Sequence, residues 1–202
     1  MKLETKNFYK TVGALVLPIA LQNLINVAVT SADVVMLGRV GETVLSGSSL
    51  AGQVQFVLTL FLFGLTSGAA VLTAQYWGKK DMRTIEKVMG IAFRFSIIVS
   101  VIFLLAVQIF PAQVMSIFTP EQPVIDEGVK YLRIVSFSYL TCAVTHVYLN
   151  VMRSVERVVI ATVTYSVSLI VNIIINGILI FGLLGFPQMG IVGAAIGTLV
   201  AR

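Results

Sequence analysis

Residues 12–37 read VGALVLPIALQNLINVAVTSADVVML. The run exceeds the roughly 20 apolar residues that a helix needs to cross a bilayer, and its single carboxylate is Asp33. A charge inside the bilayer costs roughly 3 kcal/mol or more unless it is paired, hydrated or put to use. At about 100° per residue, Gln22, Asn23, Asn26, Thr30 and Asp33 fall within a wedge of roughly 100°. Lipid leaves such a stripe unsatisfied, so it must face protein or a water-filled cavity. Pro18 lies below the stripe and removes one helical hydrogen bond, which marks it as a candidate hinge or a tolerated kink.

Composition extends this reading to the whole chain. Hydrophobic residues make up 57% and charged residues 11%, against roughly 25% charged in soluble domains. Mean hydropathy is +0.97. The expected fold is therefore all-α and integral to a membrane. Apolar spans are expected at about 12–37, 46–76, 88–110, 129–152 and 158–181, with a sixth at 191–202. That last run holds only about a dozen residues, so a truncated final helix and a longer polypeptide are expected.

The loops are short. Gly38–Glu42 separates the first two spans and Trp77–Asp81 the next two. A longer amphipathic stretch at 111–128 is broken by Pro120 and Pro123, and its Met115, Ile117 and Phe118 suit the membrane interface. Lys2, Lys6, Lys10, Lys79, Lys80, Arg83, Lys87, Arg153 and Arg157 fall on one side of the alternating loops. Arg39 and Lys130, with most of the loop acids, fall on the other. This bias predicts a multi-pass inner (plasma) membrane protein with a cytoplasmic N-terminus, and segregated basic loops argue against nucleic acid as a partner.

Polar stripes recur. Tyr165, Asn172 and Asn176 share a face of the fifth span with Thr162 nearby. The second span carries Ser48, Gln55, Thr59, Thr66 and Thr73, and the fourth Ser138, Thr141, Thr145 and Tyr148. A single Ser or Thr most simply joins helices by hydrogen bonds. Asp33 with the two asparagines is a poor glue and a better ion site, because amide oxygens suit a hard cation. Gln22, Asn26, Thr30, Gln55, Tyr148 and Tyr165 are the candidates for a substrate cavity. His146 lies off its helix's hydroxyl stripe and reads as packing, and Cys142 as a small apolar filler. Gly64–Gly68 and Gly193–Gly197 are small-xxx-small pairs. No phosphate-binding glycine loop, metal-ligand spacing or nucleophile–base pair is present, so an enzyme and a cofactor are not expected.

The segments LPIALQNLINVAVTSADVVMLGRVGE (17–42), FGLTSGAAVLTAQYWGKKD (63–81), VNIIINGILIFG (171–182) and GIVGAAIGTLVAR (190–202) resemble the MATE family of multidrug and toxin extrusion transporters. The resemblance implies a six-helix lobe, half of a twelve-helix transporter whose C-terminal lobe lies elsewhere. It also implies export of organic cations or amphipathic compounds in exchange for protons or sodium. Asp33 matches the family's first-helix aspartate, Asn172 its fifth-helix asparagine and Thr198 a sixth-helix threonine. The family often has a second acid where this chain has Asn176. Asp33, Asn172, Asn176 and Thr198 are thereby the expected proton or sodium site. Two other readings are a lipid-linked oligosaccharide flippase of the same superfamily, which calls for cations facing the cavity, and a non-transporting structural membrane protein. Arg94 is the one basic residue inside a span away from its ends.

Overall fold

The computed structural model describes the backbone of residues 2–202, and side chains from Val12 onward except those of Ala14, Leu15 and Asn26. Lys2, Lys6, Lys10 and Asn26, named above, thus have side chains outside the described residues. The elements are α1 (Lys2–Gly38), α2 (Glu42–Gly78), α3 (Met82–Ile109), α4 (Pro111–Ser116), α5 (Gln122–Val135), α6 (Ser138–Ser154), α7 (Val158–Phe181), a 3-10 turn (Leu183–Gly185) and α8 (Ile191–Val200). No strand occurs among the described residues. Segments 16–38, 42–78, 82–109 and 158–181 are each long and apolar enough to cross a membrane.

The expected single span at 129–152 is instead two helices, α5 and α6, bent by 57°. Serine hydroxyls and a neighbouring amide take up the backbone groups freed at the bend. Ser138 Oγ donates to Val135 O at 2.6 Å. Gln108 Nε2, from α3, donates to Arg133 O at 2.8 Å and to Ser136 Oγ at 2.9 Å. A broken helix inside a membrane protein needs such substitutes for its lost hydrogen bonds. Met115, expected at the interface, is fully buried, while Ile117 remains exposed as expected.

Two turns at one end of the lobe share a design. After α2, Lys80 takes a left-handed conformation (φ 57°) and Asp81 N–H donates to Tyr76 O at 3.0 Å. After α6, Glu156 does the same (φ 64°), and Arg157 N–H donates to Met152 O at 2.8 Å. These are Schellman closures with a charged residue where glycine is usual. Asp81 then caps α3, accepting from Thr84 N–H at 3.1 Å and Thr84 Oγ1 at 2.6 Å. These bonds hold the Asp81 carboxyl below its ordinary pKa.

The main core lies between α2, α3, α5 and α6, around Leu58, Leu62, Met115, Leu132 and Tyr139. α2 and α5 meet backbone to backbone: a Cβ added at Gly47 would sit 2.9 Å from Gly128 N. The pair at Gly193 and Gly197 likewise lets α8 press on α7, where an added Cβ at Gly193 would lie 2.8 Å from Leu179 O. A Cβ added at Gly64 or Gly68 would meet nothing within 4 Å, so that pair makes no such close approach. α1 lies chiefly along α7 and exposes Leu17, Leu24 and Val35 outward.

Candidate functional site

The polar faces of α1, α2, α5, α6, α7 and α8 turn toward one cavity of about 720 Å³. Asp33 and Thr30 enter its wall from α1, Gln55 from α2, Tyr165 and Asn172 from α7, and Thr198 from α8. α7 brings its amides there because Asn172 and Asn176 are one turn apart, on the face turned to α1 and α8.

Asn176 is fully buried, and Nδ2 donates to Asp33 Oδ1 at 2.6 Å and to Asn172 Oδ1 at 3.2 Å. An ionised carboxylate only accepts, so the amide nitrogen must be the atom facing it. Both amide hydrogens are then committed. Asn176 Oδ1 finds no hydrogen-bond partner and lies against Gly197, where an added Cβ would collide with it. Asn176 therefore holds Asp33 in place with its nitrogen and turns its oxygen away, unlike the oxygen-ligand role expected from the sequence. Asn172 Oδ1 and Thr198 Oγ1 are further neutral oxygens, on residues that line the same cavity wall as Asp33. Thr198 Oγ1 is buried beside the Tyr131 hydroxyl.

The remaining expectations fall variously. Gln22 is buried but lies outside the cavity wall. Tyr148 is a correction: it is 40% exposed and does not line the cavity, because it lies about 120° around α6 from Cys142 and on the far side from His146, two residues that do. Pro18 leaves α1 helical throughout, and its carbonyl accepts from Thr162 Oγ1 at 3.1 Å. Ser48, Thr59 and Thr66 bond carbonyls of their own helix at 2.8–2.9 Å. These three hydroxyls mostly satisfy themselves.

Sequence reasoning missed several wall residues. Tyr131 comes from α5, which precedes the bend and reads as part of a simple span. Cys142 and His146, one turn apart on α6, both face the cavity, although both read as packing residues. Arg202 enters as well: Nη1 lies 3.2 Å from Cys142 Sγ. The Gln55 amide, turned so that its oxygen faces the guanidinium, accepts from Arg202 Nη2 at 2.8 Å.

An aspartate and two asparagines on adjoining helices, beside a cavity in a helical membrane lobe, agree with a match of the MatE family profile to residues 18–178. The chain belongs to the MatE family. Among its MatE relatives, the probable multidrug resistance protein YoeA of Bacillus subtilis (strain 168) is 23% identical over 99% of this chain and 43% of its own length. The probable multidrug resistance protein NorM of Rhizobium meliloti (strain 1021) is 27% identical over 87% of this chain and 38% of its own. The solved MATE multidrug transporter DinF-BH superposes with a TM-score of 0.87 at 21% identity, covering 95% of this chain and 42% of that one. The chain thus spans less than half the length of these MatE proteins. It has the fold of one six-helix lobe, and it is a multi-pass membrane protein.

Proposed function

We propose that this lobe is the ion-coupling half of a secondary multidrug antiporter. It would export organic cations or amphipathic compounds across the plasma membrane in exchange for protons or sodium, with its N-terminus in the cytoplasm. The observation that carries this reading is the Asp33–Asn176 bond at the cavity wall. A carboxylate held by a buried amide is pre-positioned to take a proton, or to bind sodium with Asn172 Oδ1 and Thr198 Oγ1. A cationic substrate in the same cavity competes for that one charge. Alternation would come from rocking against a second lobe, with Pro18 as the point where α1 bends.

One carboxylate among neutral amides carries a proton unaided, so protons are expected to suffice. The test uses the complete transporter in proteoliposomes, under an imposed pH gradient and then a sodium gradient. Asp33→Asn should abolish ion-driven efflux at unchanged expression and insertion. Efflux at the wild-type rate refutes the reading, and dependence on sodium alone transfers the coupling to that ion. Impermeant labelling of cysteines placed at Lys80 and Gln122, in a chain lacking Cys142, tests the orientation, with only the second expected to react on intact cells.

One observation favours a lipid-linked oligosaccharide flippase: the Arg202 guanidinium faces the cavity. Arg94 does not, since it lies on the outer side of α3. Loss of flipping on Arg202→Gln, with drug efflux absent in the wild type, would establish that reading.

A further inference from the structure

The outer face of α3 carries a charge pattern that antiport does not use. Arg83, Lys87 and Arg94 lie within about 40° of one another around the helix, and Gly90 falls in the middle of the stripe. The buried face of α3, marked by Ile85, Ala92, Ser96, Ser100 and Val107, points nearly the opposite way. A Cβ at Gly90 would meet nothing within 4 Å. The missing side chain leaves a shallow hollow on the α3 surface, bordered by the three cations, Glu86 and Ile91.

None of the three cations makes an ion pair among the described residues. Asp81 feels Lys87 only at longer range. Arg94 is the anomaly, an exposed guanidinium inside a membrane span, two turns beyond Lys87 and about 10 Å further along the axis. Beyond it the same strip is apolar as far as Leu105, with Ile98 and Leu105 exposed. No α3 residue lines the cavity that holds Asp33, so this face lies on the perimeter of the lobe away from that cavity.

We propose that this hollow is a binding site for an anionic glycerophospholipid of the adjoining leaflet. Its phosphate rests over Gly90, between Lys87 and Arg94, and its acyl chain runs along Ile98 and Leu105. Three cations against the single Glu86 leave a net positive strip that complements the phosphate. Arg94, too deep to reach bulk water directly, extends up toward the headgroup level to meet it. A zwitterionic lipid brings its own cation to the same place and loses that advantage. The phosphate, the leaflet boundary and the apolar track are matched together only by a lipid.

The test uses the complete transporter in detergent, with phosphatidylglycerol and phosphatidylcholine as probes and native mass spectrometry counting the lipids retained. The wild type should retain one phosphatidylglycerol molecule more than the double variant Lys87→Gln/Arg94→Gln. It should also retain one more than Gly90→Leu, which fills the hollow and keeps every charge. Phosphatidylcholine retention should be the same in all three proteins. Added phosphatidylglycerol should raise the melting temperature of the wild type by several degrees and leave both variants unmoved. The melting temperature in phosphatidylcholine alone shows that each variant is folded. Equal phosphatidylglycerol retention in wild type and variants overturns the site. Displacement of the bound lipid by millimolar inorganic phosphate overturns the lipid as occupant.

Discussion

Around Leu58, Leu132 and Tyr139 the helices meet through apolar side chains that are wholly enclosed. Around Asp33 they meet through a carboxylate, two amides and a glycine. Lipid is as apolar as leucine, so burial by itself does not drive the first region together, and fit does. The second region gives up fit for hydrogen bonds that surround a charge. The contrast teaches a division: close apolar fit on the α2–α5–α6 side, and hydrogen bonds around a carboxylate in the α1–α7–α8 corner, to which the proposed function assigns the ion coupling.

Substitutions on either side can break that division. Leu132→Ala opens a cavity in the apolar side and should lower the lobe's unfolding free energy by roughly 2 kcal/mol. This is the low end for buried leucines, since lipid does not reward their burial as escape from water does. Equilibrium unfolding in mixed micelles measures it, and the ion dependence of efflux should stay as it was. A changed ion dependence would erase the contrast.

Gly197→Ala tests the polar corner. Its methyl meets Asn176 Oδ1, an overpacking that costs roughly 1–3 kcal/mol. The displaced amide releases Asp33, so ion-driven efflux should fall well below the wild-type rate. Full coupling in a folded Gly197→Ala transporter would show that the contact is slack.

Smaller still is Asn172→Ala. Hydrogen bonds within membranes average about 0.6 kcal/mol, so the melting temperature should barely move while the ion response of efflux shifts. If melting shifts and ion response does not, Asn172 is packing glue.

The weakest effect lies outside the membrane, at Asp81. Thr84 holds the folded carboxyl's pKa below its ordinary value. The stability it adds is present above the unfolded value of about 3.9 and is lost as pH falls through the lower, folded one. Wild-type protein should thus lose more melting temperature between pH 5 and pH 3 than Asp81→Asn. Parallel curves for the two proteins would remove Asp81 from the account.

The spans are legible in the sequence because lipid allows few alternatives: long apolar runs become helices, and polar stripes turn inward. The bend between α5 and α6 is hidden there, since Ser136 and Ser138 read equally well as ordinary members of one continuous helix. Asp33, Asn172 and Thr198 are legible as a group through charge, spacing and family likeness. The direction in which Asn176 points is not, because periodicity gives a residue its face and leaves open which end of an amide meets a carboxylate. His146 and Cys142 escape for a related reason. His146 lies off the hydroxyl stripe of its helix and Cys142 reads as a small apolar filler, while the cavity is wider than one stripe.

The hydrogen bond from Thr162 to the carbonyl of Pro18 joins residues 144 positions apart. It fastens α7 to α1 at the turn where proline has already removed one rung of the helical ladder. If α1 bends at Pro18 as proposed, this bond would transmit that bend to α7, and removing the Thr162 hydroxyl would let one helix turn without driving the other.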